Sequence, residues 1–444
     1  MIIRYINDYG DGTSGYADYG SGIVVTTASG QPIEVTSSSS SVVNVQGGGT
    51  GSDAFGRLRI ANAFTLFDSS HRYKDNGLWA TTSGTGGTTT FNANAGLVEL
   101  AVTTTSGSEV VRESNKVFPY QPGKSLLVMS TFVMEPGKTG LRQRVGYYGA
   151  NNGIYLEKNG VNSPTFVERN SVTGSVTETS VSQADWNEDK LDGTGPSGLT
   201  LDLTKAQILW MDIEWLGLGT VRIGFIINGK FIHCHSFHHA NLITSTYITT
   251  ASLPLRYEIK NITATASSST LKQVCSTVIS EGGYELRGLQ QAIGTSITAP
   301  YSLATAGTFY PVISIRLKST TLDAVVVLSA LSIMAAGGTA NYSWRVIESA
   351  TTTGGTWVSA GANSSVEYNL TGTATTGGRI AAQGYFSASN QTLAATDILR
   401  EALFKFQLER DGLTGTPYEI TLAVAASANT STVHASLDWE EISL

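Results

Sequence analysis

The feature that most restricts the fold is residues 206–237, AQILWMDIEWLGLGTVRIGFIINGKFIHCHSF. Side chains alternate in its first strand: Leu209, Met211, Ile213 and Trp215 point one way, and Trp210, Asp212 and Glu214 the other. Asn228-Gly229 then supplies the two positive φ angles of a type I′ turn, so the segment closes as a hairpin. Strand patterns recur at 96–104, 125–134, 143–149 and 153–162, and again at 310–318, 341–349, 404–410, 418–426 and 435–444. With 48 Gly against 10 Pro and Thr/Gly-rich turns, the expected class is all-β. An extended N-terminal arm over 1–52 precedes an antiparallel sandwich over 53–283 and a second, C-terminal β-sandwich over 284–444.

Charge narrows the partners. The net charge is −7, from 28 basic and 35 acidic residues, and no Lys/Arg cluster of the kind that tracks phosphates stands out, so nucleic acid is not an expected partner. The start, MIIRYINDYGDG, lacks an apolar signal region, and the most apolar run, 322–338, is too short and Ser-interrupted to span a bilayer; no membrane partner is expected. Two cysteines, Cys234 and Cys275, do not make a disulfide framework and fit synthesis in a reducing cytoplasm. The arm contains a single basic residue, Arg4, and little apolar surface, so neighbouring chains are expected to order it.

Two clusters invite chemistry. In FIHCHSFHHAN, 231–241, strict alternation puts His233, His235 and Phe237 on one face and Ile232, Cys234 and Ser236 on the other. His233 and His235 are the candidate metal ligands, but two ligands fall short of the three or four that a zinc site takes; only a symmetry axis would complete the set. No metal or other cofactor is expected in the monomer. The second cluster, WMDIEW at 210–215, resembles the E-x-D-x-E strand of the concanavalin-like glycanases. Trp210 stands where that family has its nucleophile, leaving Asp212 and Glu214, so the double displacement lacks its first carboxylate and no enzyme activity is expected. PGKS at 122–125 and PGKT at 136–139 lack the P-loop's earlier glycine, since Phe118 and Phe132 stand there; both read as turns. The 53–283 sandwich is accordingly read as concanavalin-like or jelly-roll.

The segment GTGSDAFGRLRIANAFTLFDSSHRY, 49–73, carries a further resemblance. Its D-A-F-G-R-L-R run, Asp53–Arg59, followed by L-F-D-S, is similar to virion structural proteins of tailed bacteriophages of marine and freshwater bacteria, and the similarity continues at 142–157, 212–241, 258–261 and 344–349. The resemblance implies a structural component of a phage particle, in the tail, fibre, neck, baseplate or capsid surface. It would be made in the bacterial cytoplasm, reside in the virion, and dock by its arm onto other virion proteins. Phe55, Arg57, Leu58, Arg59, Phe64 and Phe67 are the candidate assembly residues, and a homo-oligomer, with a trimer favoured, is expected. The alternative is a glycan-binding host-adhesion protein, with a polysaccharide depolymerase ranked behind it. Tyr147, Tyr148 and Tyr155, with Trp210 and Trp215, would stack on the sugar rings of a host-surface polysaccharide.

Overall fold

The computed structural model describes residues 62–75, 77–337, 340–388 and 406–443, together with the backbone of three short strands, Tyr5–Asp8, Ser14–Ala17 and Ala394–Thr396. The chain divides into two compact units, 1–60 and 61–444. In the first, Tyr5–Asp8 pairs antiparallel with Ser14–Ala17. The rest of the expected arm lies outside the described residues, as do Phe55, Arg57, Leu58 and Arg59.

The second unit is all-β, as the alternation requires. Its larger part is a jelly-roll-like sandwich of antiparallel sheets. One sheet has the order Lys230–Phe237, Val221–Ile227, Gln207–Ile213, Ser125–Val133, Ser269–Glu281, Leu97–Val102, Gly87–Asn92, with Ala63–Ser70 also paired to Ser269–Glu281. The opposing sheet runs Thr177–Ser182, Thr165–Asn170, Gly153–Asn159, Leu141–Tyr148, Leu255–Asn261, Glu109–Ser114, Trp79–Ser83. Ser125–Val133 shows why these residues form a two-faced strand: Leu126, Val128, Ser130 and Phe132 are buried while the residues between them are half-buried. The inward sets meet in one core that includes Val98, Leu100, Val128, Phe132, Val145, Leu209, Met211 and Ile213, with Phe166 stacked on Trp186 at 4.3 Å. Asn228 and Gly229 have φ of 53° and 74°, and the hairpin closes between Val221–Ile227 and Lys230–Phe237 as its sequence demands.

The smaller part packs Val358–Ser359, Val366–Asn369, Tyr310–Leu317, Glu419–Ala426, Asn341–Thr353 and Ala374–Ser387 against a sheet of Leu289–Gly294, Ser431–Ser443, Val325–Gly337 and Ala394–Thr396, with Tyr301–Leu303 also on Ser431–Ser443. Ile313, Ile315, Val326, Leu328, Trp344, Val346, Leu422, Leu437 and Trp439 share its core.

The two sandwiches are joined by more than a linker. Val117, Tyr284, Val325 and Val327 form a small apolar cluster of their own, with Phe64, Leu66, Leu286 and Ile442 packed on it. Beside it Glu113, whose side chain is 2% exposed, accepts from Arg410 at 2.8 Å and from Arg256 Nε at 2.8 Å. Arg410 Nη1 donates to Ser114 O and Gln407 Nε2 to Val117 O, both at 2.8 Å, and Arg410 N–H donates to Asn115 O at 3.0 Å.

Candidate functional site

The histidine strand departs from strict alternation. A β-bulge at Cys234 sets His233 opposite Gly224 but His235 opposite Ile223. The extra residue reverses the faces beyond it, so the expected shared face of His233 and His235 is corrected: His235 and Phe237 turn toward the core, and His233 stays outside with Ser236. His235 packs edge-on against Phe237 at 4.6 Å, and its Nδ1 accepts from Asn187 N–H at 3.3 Å. Burial pushes its pKa down to about 4. His233 Nε2 donates to His235 O at 3.2 Å and lies 3.0 Å from Ser236 Oγ. Among the described residues no group of three or more His, Cys, Asp or Glu is arranged to hold a metal ion.

His239, which the sequence places only in a following turn, is the histidine with a charge partner. Nε2 meets Glu168 Oε2 at 2.8 Å, Nδ1 meets Gly219 O, and the ring stacks on Tyr247 at 4.0 Å. Both nitrogens face acceptors, so both donate. Burial works against the charged form but is outweighed by the hydrogen bonds to Glu168 and Gly219, and the pKa is raised. The contribution of this pair is therefore full below the ordinary histidine pKa and is lost as pH rises through the raised one. Glu168→Gln is expected to cost about 2 kcal/mol at pH 6 and less at pH 9; urea titrations at both pH values measure the difference. An equal loss at both would mean that the pair is not charged.

The tyrosines expected to meet sugars are all fully buried, which corrects that assignment. Adjacent residues of a strand face opposite ways, so Tyr147 and Tyr148 cannot share a role. Tyr147 lies in the core, its hydroxyl 2.6 Å from Ala251 O and accepting from Leu253 N–H at 3.0 Å. Tyr148 and Tyr155 sit on the outer side of their sheet with rings 4.5 Å apart, yet arginines roof them: Arg144 and Arg169 lie 5.0 and 5.3 Å from the Tyr155 ring, and Arg256 lies 5.3 Å from that of Tyr148. Glutamates fix this roof, through Arg144–Glu157 at 2.6 Å, Arg169–Glu178 at 2.7 Å and Arg256 Nε–Glu113 at 2.8 Å.

Phe67 is likewise no docking residue. It is buried in the core against Phe118 at 4.8 Å and Trp79 at 5.9 Å. Phe64 lies in the seam between the sandwiches, 6.4 Å from Tyr284.

Asp212 and Glu214 do converge, in a pocket of about 290 Å³ on the outer face of the sheet containing Gln207–Ile213. Tyr120, Gly123, Lys124, Ser125, Leu216, Thr220 and Arg222 complete it. Asp212 is 6% exposed; its Oδ2 accepts from Arg222, directly opposite in the strand register, while its Oδ1 is buried without a hydrogen-bond partner. Glu214 Oε2 accepts from Thr220 N–H at 3.2 Å. Trp210 is packed against Phe231 and His233, at 5.5 and 5.8 Å, and Trp215 donates to Ile248 O at 3.2 Å with its ring edge-on to Tyr120. Arg222, directly opposite Asp212 across the 214–220 connection, was not legible in the sequence, because the Asn228-Gly229 turn sets the register of Val221–Ile227 only against Lys230–Phe237. Nor were Tyr120 and Lys124, because they arrive from a different part of the chain.

No protein-family model and no curated protein matches the chain. Solved structures similar to it include an endo-β-1,4-glucuronan lyase of the fungus Trichoderma reesei, at 11% identity over 48% of this chain and 95% of that one, with a TM-score of 0.33. The CBM2 module of the evolved Dit of Lactobacillus casei BL23 phage J-1 matches at 6% identity over 51% of this chain and all of that one, with a TM-score of 0.33. A carbohydrate esterase of the Shiga toxin-encoding bacteriophage phi24B matches at 12% identity over 50% and 100%, with a TM-score of 0.30. At these identities and scores, what those proteins do does not carry over to this one.

Proposed function

We propose that this protein is a structural component of a tailed-bacteriophage particle, acting by assembly and not by turnover. The sequence resemblance centred on Asp53–Arg59 motivates the reading, and one structural observation supports it: the two sandwiches are clamped by the buried Glu113–Arg410 contact and an apolar seam. A rigid double sandwich suits a projecting part whose domains must hold their orientation. Asp212, tied to Arg222, is poorly placed to act as a free acid or nucleophile, which suits a non-catalytic role. The N-terminal arm would dock on other virion proteins, and copies of the chain would associate, with a trimer as the expected form.

Mass spectrometry of gradient-purified particles tests the role. Peptides of this chain at a fixed ratio to the major capsid protein support it; particles lacking the chain overturn it. Limited proteolysis of the isolated protein is expected to remove residues 1–52 well before it cuts within 62–337. Equal resistance would show that the arm is held by its own chain.

A further inference from the structure

Two loops of the larger sandwich, 214–220 and 238–248, are bound side by side and turn aliphatic side chains outward. In the first, the N–H groups of Leu218 and Gly219 return to Trp215 O at 2.9 and 2.7 Å. Its glycines are required where they stand, since a Cβ at 217 would lie 2.9 Å from Thr246 Cγ2 and one at 219 would collide with Glu214 O. In the second, His239 O accepts from the N–H groups of Leu242 and Ile243 at 3.0 and 3.2 Å. Tyr247 N–H donates to Gly217 O at 3.0 Å, Trp215 Nε1 donates to Ile248 O at 3.2 Å, and His239 Nδ1 donates to Gly219 O, so neither loop moves without the other. From this fixed base stand Leu216, Leu218, Leu242 and Ile243, exposed by 57, 43, 71 and 37%.

Leu216 carries a second signal. Its φ is 39°, in the left-handed region where a Cβ is disfavoured and glycine is the ordinary residue. A leucine held there against strain, with more than half of its surface in water, points to a partner that meets it. Charge narrows that partner. Neither 215–221 nor 240–255 contains Asp, Glu, Lys, Arg or His, so the loops offer nothing to an anionic lipid surface. Copies of a chain of net charge −7 repel one another, and an uncharged apolar surface is where two of them can meet without opposing like charges.

We infer that these two loops are the surface through which copies of the chain associate, with Leu216 and Leu218 of one copy packing against Leu242 and Ile243 of the next around a three-fold axis. Two different patches that meet head to tail close into a ring, as a trimer requires. This rests on the association of copies proposed above and adds where they touch.

Sedimentation velocity on the full chain from about 1 to 100 µM tests the surface. Wild type is expected to form a trimer that dissociates in that range, because so few side chains bury less than the roughly 800 Å² per copy of a stable interface. Leu242→Asp sets like charges against one another in the ring and is expected to weaken association at least about tenfold. Leu216→Gly removes the strain together with the side chain; it is expected to weaken association severalfold without lowering the melting temperature of the chain. Ile297→Asp, 78% exposed between Leu289–Gly294 and Tyr301–Leu303, is expected to change nothing. Circular dichroism melts establish that each variant is folded. A wild-type chain that stays monomeric throughout overturns the association itself. An oligomer that survives Leu242→Asp and Leu216→Gly overturns these loops as its surface and leaves the association standing. A lower melting temperature for Leu216→Gly with association unchanged would show that Leu216 serves its own fold. Binding of a monomeric wild type to phosphatidylcholine vesicles, abolished by Leu242→Asp, would assign the loops to lipid instead.

Discussion

Replacing Glu113 with Ala lowers the stability of the two-sandwich unit by about 3–5 kcal/mol, the range for removing one partner of a buried ion pair. The size of the effect comes from what is left behind. Glu113 holds two guanidinium groups, those of Arg256 and Arg410, and the side chain of Arg410 is only 5% exposed. Without the carboxylate, both positive charges stay in the protein with reduced compensation. Arg410 also spans the seam by donating to Ser114 O, so its displacement loosens the joint as well as the pair. Urea unfolding followed by tryptophan fluorescence checks this, since Trp79 and Trp186 report on one sandwich and Trp344 and Trp439 on the other. The variant is expected to unfold at lower urea and in two steps. Adding Arg410→Met should recover part of the loss by removing one stranded charge, a coupling visible in the double-mutant cycle. A loss below about 1 kcal/mol would mean that water reaches the pair and that the seam is held by its apolar cluster alone.

The second large effect is acid lability between pH 6.5 and 4. His71 and His235 are buried, and both pKa values fall from 6.5 to about 4, in each case mainly through burial, with the charge of Arg112 adding to it at His71. A lowered histidine pKa means that the unfolded chain binds the proton first. The stabilising contribution is therefore complete above about pH 6.5, the ordinary histidine value, and is lost as pH falls toward the folded values. Each histidine is expected to cost up to about 3 kcal/mol across that window. Glu348, Glu419 and Asp438 work the other way, because burial raises their pKa values and favours the folded state in acid. The histidines are expected to outweigh them, giving a melting temperature that falls steeply below pH 6. His235→Phe should flatten that fall while leaving stability at pH 7.5 within about 1.5 kcal/mol. Wild-type melting that is level from pH 7.5 to 4.5, and equally level in His235→Phe, would show that burial does not hold back the protonation of His235.

How far the chain can be read from its sequence divides along one physical line. Strand character depends on near neighbours in the chain. Hence the alternation of Ser125–Val133, the inward set Leu209, Met211 and Ile213, and the Asn228-Gly229 turn were all legible, and together they determine an all-β fold. The pairing of Asp212 with Arg222 depends instead on the separate 214–220 connection, whose register the Asn-Gly turn does not set. Tertiary structure decided what depends on partners distant in the chain. The bulge at Cys234 breaks the period of two, so no count along the strand could place His235 inside and His233 outside. Tyr148 and Tyr155 do point outward, but Arg144, Arg169 and Arg256, brought alongside by other strands, close over them. The same holds for Glu113 with Arg410, and for Lys124 and Tyr120 beside Asp212: local pattern sets the direction of a side chain, and only the folded neighbours determine what it meets.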